Sequence, residues 1–412
     1  MTYEVAVTGV GLVSSLGNSY PDVIQKLMSG CSGISAVPHW VEFGVDSLVA
    51  GTVSADLDDL DLDYSKARIG RVINGPVLYN LYAAKKACDD AGLGKEDFRS
   101  SRVICIVGSS TLNVSEIFKD HERFFRERGY VRHPHAIFNY MGSTSTAVIS
   151  SILGITGANF AITSACAGSS HSIGIGFQLV RNGFADCAIV GGGDEVNELV
   201  GMSFQALRTA LSTSYNEQPA KASRPFDAER DGMVLSGGSG IIVLERRAHA
   251  KARKARIRGY LVGYGASGDA FDLFRPLPDG SQAARCMQAA IEDARLSIDD
   301  IGYINAHATS TIHGDRSEVR AIRQVFGNRI PPVSSTKAMT GHSNGACGAH
   351  EAIFSLAALE KQTAPPSINL DRVDPEFEDV PFARDGRAFR KKYVMSNSFG
   401  FGGSNATLVF GM

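Results

Sequence analysis

Short, wholly apolar runs alternate along the chain with stretches whose apolar residues recur at helical spacing, and this alternation constrains the fold most. Val103–Val107 and residues 187–190 are runs of the first kind, and residues 301–306 form a similar run that is apolar apart from Asn305. Such runs, bounded by glycine or polar residues, predict buried strands. Apolar residues three and four apart between positions 77 and 88 predict a helix that ends at Gly92. Strands that alternate with helices predict parallel or mixed sheets covered by helices.

The same rhythm continues through the second part of the chain. It predicts helices over residues 281–294 and 349–361 and a closing strand over residues 406–410. A chain of 412 residues is long enough for two fused cores of similar build. We therefore predict two similar halves, residues 1–250 and residues 251–412.

Composition and charge exclude several classes of protein. The formal net charge of −2 gives no overall attraction to nucleic acid or to a membrane. No apolar run of about 18 residues is present, and the first residues lack the pattern of a signal peptide. The seven cysteines form no C-x-x-C pair, so they suggest neither a zinc site nor a disulfide framework. We therefore expect a cytoplasmic protein without metal, cofactor, nucleic-acid partner or membrane partner.

Glycines near the start of the chain invite comparison with a dinucleotide-binding loop. Residues 3–9 predict a strand, and Gly9 and Gly11 predict a turn that leaves it. Together with Gly17 they do not give the spacing G-x-G-x-x-G. We interpret them as a structural turn.

Cys166 stands in the stretch 161–171, where a short apolar run gives way to small residues. Ile173, Phe177 and Val180 then recur at helical spacing, which predicts a strand–helix junction at Cys166. A helix N-terminus carries partial positive charge and unpaired N–H groups, and both favour a thiolate. Cys166 is therefore a candidate nucleophile, although a lone cysteine in this setting is more often a buried structural residue.

Three further side chains favour the catalytic interpretation. His307 follows the apolar run 301–306, and Lys337 and His342 lie five residues apart around a glycine-rich loop. Ligands and catalytic groups in open α/β sheets gather where strands end in this way. A cysteine, two histidines and a lysine at such positions predict covalent acyl chemistry.

Five motifs, in order, resemble those of the β-ketoacyl-acyl-carrier-protein synthases, and the resemblance covers essentially the whole chain. The motifs are Ser164-Ala-Cys166-Ala, His307-Ala-Thr-Ser-Thr311, Gly314-Asp-x-x-Glu318, Lys337-Ala-Met-Thr-Gly-His342 and Asn397-Ser-Phe-Gly-Phe-Gly-Gly403. Within the family the sequence is most similar to synthase I, because Ser236-Gly-Gly-Ser-Gly240 lacks the glutamate typical of synthase II.

This resemblance implies an α/β thiolase-like fold, in which two similar halves form a five-layer α-β-α-β-α sandwich, and a homodimer. It also implies an acyltransferase of fatty acid elongation whose partners are acyl carrier protein and acyl and malonyl thioesters. The acyl chain would move from its carrier to Cys166. Malonyl-acyl carrier protein would then lose CO2, and its carbanion would attack the acyl thioester to give 3-oxoacyl-acyl carrier protein.

The resemblance also assigns roles to individual side chains. His307 and His342, both neutral, would donate N–H to the malonyl thioester oxygen, where negative charge develops. Lys337 would pair with Glu318 and fix the field around the histidines. The backbone N–H groups of Cys166 and Phe401 would form the oxyanion hole.

Two more groups of residues follow from the same resemblance. Thr309 and Thr311 would bind the pantetheine arm, Phe399 or Phe401 would gate the second substrate or only pack in the core, and Thr111 would tune the depth of the acyl pocket. The residues that would dock the acidic carrier protein are Arg68, Arg71, Arg126, Arg128 and Arg132. Because Thr111 is of intermediate size, the acyl chain length stays open.

Three other functions compete with this one. A thiolase would need a second cysteine in a C-terminal loop, and Cys347 is the only late cysteine. A catalytically inactive chain-length partner would lack the nucleophile, so Cys166 argues against it. A condensing enzyme of an aryl polyene or polyketide pathway uses identical chemistry and stays open.

Overall fold

The computed structural model describes residues 2–60, 62, 69–128, 135–208 and 210–412. Within these ranges the strands are β1 (Val5–Val13), β2 (Ser35–Ala36), β3 (Val49–Ala50), β4 (Val103–Gly108), β5 (Asn159–Phe160), β6 (Cys187–Asp194), β7 (Gly238–Arg246), β8 (Gly259–Gly268), β9 (Ile301–Asn305), β10 (Val333–Ser334), β11 (Thr363–Ala364), β12 (Arg387–Ala388), β13 (Tyr393–Gly400) and β14 (Ser404–Gly411). The α-helices are α1 (Tyr20–Met28), α2 (Gly75–Ala91), α3 (Lys95–Phe98), α4 (Val114–Arg126), α5 (Thr144–Leu153), α6 (Gly168–Arg181), α7 (Glu198–Gln205), α8 (Arg247–Ala252), α9 (Ser281–Asp293), α10 (Ile312–Phe326), α11 (Lys337–Thr340) and α12 (Cys347–Lys361).

Ten strands form two sets of five with the same internal order. The first set runs β5-β4-β6-β7-β1 and the second runs β10-β9-β13-β14-β8. In each set the first three strands are mutually parallel, and the next two pair antiparallel. Strands β1 and β8 join the sets through three residue pairs, Val5 with Leu261, Ala6 with Tyr260 and Val7 with Gly259. The chain therefore repeats one architecture twice.

Helices cover the two sets of strands on both faces. Helix α2 packs on β1 and β7 and against α5, while α9 packs on β8 and β14 and against α10. Helices α6 and α12 contact each other, and between them they touch strands of both sets, so they form the central layer. The predicted five-layer α-β-α-β-α sandwich is confirmed. The predicted boundary between residues 250 and 251 falls inside α8 and stays a prediction.

Gly9 and Gly11 do not form the predicted turn, and that prediction is wrong. Strand β1 continues through both glycines to Val13. A Cβ atom on Gly9 would lie 2.1 Å from the carbonyl oxygen of Ala87, and one on Gly11 would lie 2.1 Å from that of Ala83. The glycines let α2 lie directly against β1, a close approach that no side chain would permit.

Asp315 does not cap α10, although aspartate is a common N-cap residue. The helix begins at Ile312, and Asp315 lies within its first turns, fully buried. Its carboxylate accepts hydrogen bonds from the backbone N–H groups of Phe226 and Ser310 instead of capping its own helix. Burial raises the pKa of Asp315 to about 6, and Arg230 opposes that shift.

In the part of the chain that the structure describes, no helix combines the length and the apolar character needed to cross a bilayer.

Candidate active site

Cys166 lies in the turn that carries the chain from β5 into α6, two residues before the helix begins. Ala165 precedes it with a φ of 46°, a left-handed conformation that is uncommon for a residue other than glycine. The turn leaves Cys166 7% exposed beside the end of β13. There Gly400 approaches so closely that a Cβ atom would lie 3.1 Å from the backbone nitrogen of Cys166. Backbone strain of this kind is typical of functional sites.

Burial opposes the stabilisation of a Cys166 thiolate that the helix end favours. Burial raises the pKa of the Cys166 thiol to about 11. The Lys337 ammonium and the backbone N–H groups of Phe401 and Cys166 oppose this rise without cancelling it. The nucleophile therefore needs a group that accepts its proton. The two N–H groups that reach the sulfur are the pair that the sequence assigns to an oxyanion hole.

His342, which follows α11, lies where it can accept the proton of Cys166. Its Nε2 atom lies 3.0 Å from Cys166 Sγ. His307, which follows β9, packs edge-on against it, with ring centroids 5.3 Å apart and planes at 87°. The sulfur and one ring nitrogen of each histidine all lie within 4.8 Å of one another. The structure thus brings together three side chains that are as much as 176 residues apart in the sequence.

Both histidines are neutral near pH 7, as the resemblance to the synthases implies. Burial lowers the pKa of His342 well below its ordinary value, and the nearby Lys337 ammonium lowers it further. The same two causes, together with His342, lower the pKa of His307. A neutral imidazole can donate from one ring nitrogen and accept at the other. The pair can therefore hydrogen-bond a developing oxyanion without carrying positive charge beforehand.

Lys337 does not pair with Glu318, so that prediction is wrong. Its ammonium contacts the carboxylate of Glu351 on α12, and both side chains are 2% exposed. Burial alone would lower the pKa of Lys337, but the Glu351 carboxylate raises it above the ordinary value. The lysine therefore stays charged. Its positive charge lowers the pKa values of Cys166 and of both histidines.

Glu318 instead holds the backbone beneath His307. Its carboxylate accepts hydrogen bonds from the N–H groups of His307 at 2.9 Å and Ala308 at 2.7 Å. The Asn397 amide donates a third at 3.0 Å. Burial raises the pKa of Glu318 to about 7, against the effect of these donors. Glu318 therefore positions the loop that carries His307.

We expect Glu351→Gln to destabilise the fold by about 3–5 kcal/mol, because it leaves the Lys337 ammonium buried without a counter-charge. Urea unfolding of the variant measures the loss. The double variant Lys337→Met with Glu351→Leu removes both charges and should cost less than Glu351→Gln alone. An unchanged urea midpoint in Glu351→Gln would show that the contact does not stabilise the protein.

The same side chains include two sets of donors that a metal ion could use by residue type. One is Cys166 with His307 and His342, and the other is His307 with Cys347 and Glu351. The Lys337 ammonium lies among them, and Glu351 already pairs with it. Because a buried cation repels a divalent metal, we interpret both sets as parts of an acyl-transfer site.

A cavity of about 780 Å³ leads to Cys166. It is lined by both histidines and by Thr309, Thr311, Phe399 and Phe401, whose roles in substrate binding stay a prediction. The hydroxyl oxygens of the two threonines lie 3.1 Å apart. The ring of Phe401 packs against Phe204 and Phe274, with centroids 6.0 and 6.1 Å away.

Thr111 does not line this cavity, and its assignment to the acyl pocket stays a prediction. Its backbone N–H and hydroxyl donate to the carboxylate of Asp194, a fully buried residue at the end of β6. The same carboxylate accepts hydrogen bonds from Ser109, Ser110 and, from the loop after His342, the backbone N–H of Gly345. Asp194 thus fastens the loop after β4 to the loop that carries His342.

The predicted docking arginines are only partly described. Arg68, Arg132 and the side chain of Arg71 lie outside the described residues. Arg126 ends α4, is exposed, and pairs with Glu122 at 2.6 Å. Arg128 follows in an exposed turn with a φ of 53°. Neither arginine lines the cavity.

Sequence reasoning missed Glu351, Asp194 and Asn397 as members of the site. Glu351 lies in α12, which is buried from Cys347 to Leu359, and a carboxylate there requires a cationic partner. That burial was the available signal for Glu351. Asp194 follows the glycines of β6, and Asn397 opens a motif that was read mainly for its phenylalanines. Their partners lie in distant segments, so no local spacing indicated them.

Comparison with protein families gives two matches that together span most of the chain. The family model of the beta-ketoacyl synthase N-terminal domain matches residues 2–250, and that of the C-terminal domain matches residues 258–371. The chain is 39% identical over 409 residues to 3-oxoacyl-[acyl-carrier-protein] synthase 1 of Haemophilus influenzae, covering 99% of this chain and 98% of that protein. It is 40% identical to the Escherichia coli K12 protein of the same name, with 98% of each covered. A Vibrio harveyi protein named synthase 2 is 37% identical, with 99% of this chain and 98% of that protein covered.

Solved structures agree with the sequence matches. A beta-ketoacyl synthase from Burkholderia phymatum superposes with a TM-score of 0.92 at 33% identity, covering 99% of each chain. A type II PKS ketosynthase in complex with its acyl-carrier protein, bound to the hexaketide, superposes with a TM-score of 0.91 at 28% identity, covering 100% of each chain.

Proposed function

Because this chain belongs to the β-ketoacyl synthase family, we propose that it joins an acyl group to malonyl-acyl carrier protein by decarboxylative condensation, giving 3-oxoacyl-acyl carrier protein in fatty acid elongation. The observation that carries the proposal is the cluster of Cys166, His307 and His342, which lines a cavity of about 780 Å³. A nucleophile, a proton acceptor 3.0 Å from it and a second neutral histidine are the groups this reaction needs.

In the first half-reaction, the Cys166 sulfur attacks the acyl thioester carbonyl and its proton passes to His342. The backbone N–H groups of Cys166 and Phe401 stabilise the oxyanion of the tetrahedral intermediate, since both reach the sulfur. When the intermediate collapses, the carrier leaves as a thiol and takes the proton from His342. The acyl group is then bound to Cys166.

In the second half-reaction, the bond between malonyl carbon and carboxylate breaks and CO2 leaves. The electron pair of the broken carbon–carbon bond stays on the thioester fragment and forms an enolate. The enolate oxygen accepts hydrogen bonds from His307 and His342. The enolate carbon then attacks the acyl-Cys166 carbonyl, and the sulfur leaves as a thiolate that takes up one proton from solvent, which balances the negative charge lost when the carboxylate becomes CO2. Lys337 acts through its charge, which keeps both histidines neutral, and Glu318 holds the loop of His307.

Thr309 and Thr311 would hold the pantetheine arm, since their hydroxyls line the same cavity as Cys166. Phe401 would gate the second substrate, because its ring and its backbone N–H both border the nucleophile's cavity. Gly402, with a φ of 77°, gives the adjoining backbone the freedom that this movement requires.

Product analysis tests the proposed function directly. The purified protein, given an acyl carrier protein loaded with acyl chains of graded length and malonyl-acyl carrier protein, should release CO2 and form the 3-oxo product two carbons longer. If the enzyme converts oxygenated polyketide-type chains and no saturated chains, the result would favour the alternative function, condensation in an aryl polyene or polyketide pathway. Absence of condensation with every donor would overturn the proposal.

The carrier protein would dock on the arginines predicted from the sequence. The net charge of −2 gives no general attraction for an acidic protein, so a local basic patch must supply it. Arg68→Glu with Arg71→Glu should raise the KM for carrier-bound substrates, and added salt should shrink the difference from the unaltered enzyme. Short acyl-pantetheine substrates serve as the control and should be used equally well by both. An equal loss with both kinds of substrate would contradict docking at these residues.

We also propose that the enzyme is a homodimer and that it works in the cytoplasm. Large apolar side chains are exposed on α4 and on the segment before α5; Phe125 is 79% exposed and Ile137 is 59% exposed. Exposed apolar clusters of this kind mark protein interfaces. Phe125→Glu should therefore shift the protein towards the monomer in analytical ultracentrifugation. Glu122→Lys, a charge change on the same helix, is the control, and a dimer that survives Phe125→Glu unchanged would place the interface elsewhere.

A further inference from the structure

His350 is a buried histidine on α12 that the proposed mechanism does not use. It is 2% exposed, and both of its ring nitrogens have partners. Nε2 lies 2.9 Å from the carbonyl oxygen of Val13 and 3.0 Å from that of Ser239, while Nδ1 lies 3.0 Å from Ser343 Oγ. A carbonyl oxygen can only accept, so Nε2 carries the hydrogen and Nδ1 is an acceptor. His350 therefore accepts a hydrogen bond from the Ser343 hydroxyl.

The surroundings keep the imidazole of His350 neutral. Burial lowers its pKa to about 4, and the Lys337 ammonium adds to that effect, while the two carbonyl groups oppose it. Nδ1 is therefore unprotonated near pH 7 and stays an acceptor. Gly238 leaves room for the ring, because a Cβ atom there would lie 3.0 Å from Cε1 of His350. The ring thus connects α12 to strands β1 and β7 and keeps one nitrogen for Ser343.

Ser343 directly follows His342, the proposed proton acceptor of Cys166. The Nε2 atom of His342 faces the sulfur at 3.0 Å, whereas its Nδ1 atom is buried and has no hydrogen-bond partner among the described residues. Nothing hydrogen-bonds to the ring from behind. The direction of the ring therefore depends on packing and on the backbone that carries it.

The backbone of His342 is held on one strand-like segment. Its N–H donates to the carbonyl oxygen of Val234 at 2.7 Å, and its own carbonyl accepts from the N–H of Ser236 at 2.9 Å. Gly341, which precedes it with a φ of 71°, has no side chain to anchor. Of the two neighbours of His342 in the chain, only Ser343 offers a side chain, and His350 holds it.

We propose that His350 is a positioning residue for His342: it accepts the hydrogen bond of Ser343 and so fixes the backbone that directs His342 at Cys166. The inference rests on the proposed condensing activity and names a further residue that this activity needs. A reaction slows steeply when a reacting group is displaced by as little as about 1 Å. Since His342 takes part in both half-reactions, loss of the anchor should slow both.

Ser343→Ala removes only the hydroxyl and is the mildest test. It should lower kcat for condensation by about tenfold, the worth of one neutral hydrogen bond. The KM values for acyl and malonyl carrier substrates should not change, because neither Ser343 nor His350 lines the cavity. Single-turnover acylation of Cys166 and malonyl decarboxylation should each slow. His350→Gln, whose amide nitrogen can replace Nε2 as the donor, should give the same loss of kcat.

The double variant Ser343→Ala with His350→Gln separates positioning from general damage. If His350 acts through Ser343, the two losses do not multiply, and kcat of the double variant falls by about tenfold in total. Ser355→Ala is the matched control on α12. Ser355 is fully buried, and its Oγ has no hydrogen-bond partner among the described residues. Its loss should leave kcat and KM unchanged. If His350→Gln does not fold, Ser343→Ala decides the question by itself.

The outcomes that overturn this inference differ from those that overturn the proposed function. An unchanged kcat in Ser343→Ala, or losses that multiply in the double variant, would refute the positioning role while condensation by the unaltered enzyme stands. A raised KM with an unchanged kcat would place the effect in substrate binding and refute it equally. Failure of the unaltered enzyme to condense any acyl donor would overturn the proposed function, and this inference with it.

Discussion

Replacing Cys166 with alanine is expected to abolish condensation completely, because no acyl-enzyme can form without the sulfur. Malonyl decarboxylation should continue, since the two histidines and their charge environment stay in place. Intact-protein mass spectrometry after incubation with acyl carrier protein measures the first effect, and CO2 release measures the second.

Cys347→Ala provides the matched control for this experiment. Cys347 is buried beside Cys166 and donates to its carbonyl oxygen, but burial raises its pKa well above the ordinary value. It should therefore remain a thiol, and its loss should leave acylation of Cys166 intact. An acyl group found on Cys347 in the unaltered enzyme would show that the nucleophile is wrongly assigned.

Removing His307 should separate the two half-reactions. The enolate oxygen carries charge only after CO2 leaves, and loss of one donor to such a charge typically costs on the order of 10²–10³ in rate. His307→Ala should therefore lose decarboxylation by about this factor and still accept an acyl group on Cys166. His342→Ala should slow both steps, because Nε2 of His342 also contacts the thiol.

The pH dependence gives an independent check on the same assignment. Burial and Lys337 hold the pKa values of both histidines well below the ordinary value of about 6.5. Both rings therefore stay neutral as pH falls through about 6.5, and their NMR signals should not titrate there. The decarboxylation rate itself also depends on Glu318, whose pKa burial raises to about 7. Titration of either ring near pH 6.5, or normal decarboxylation by His307→Ala, would contradict the proposed roles.

Local sequence patterns were sufficient to predict the strands, most of the helices and the central side chains of the site. The positions of Cys166, His307 and His342 follow from the rule that functional groups collect where strands end, and the structure places them together. The repeated rhythm of strand and helix likewise predicted two similar halves, which the two matching sets of five strands display. These predictions needed only spacing along the chain.

Contacts between distant segments were not accessible in the same way. Lys337 and Glu351 lie 14 residues apart in different helices, and no periodicity favours Glu351 over Glu318 as the partner of the lysine. The glycines of β1 read as a turn because the sequence does not show α2 lying against that strand. Asp194 joins two loops that are far apart in the chain.

The sequence by itself determined which chemistry this protein can perform, because the reacting groups and the strand ends that carry them are encoded locally. Only the tertiary structure decided the charge states of those groups, since desolvation depends on everything that packs around a side chain. Burial opposes the helix end at Cys166 and keeps the thiol protonated, so that His342 must take its proton.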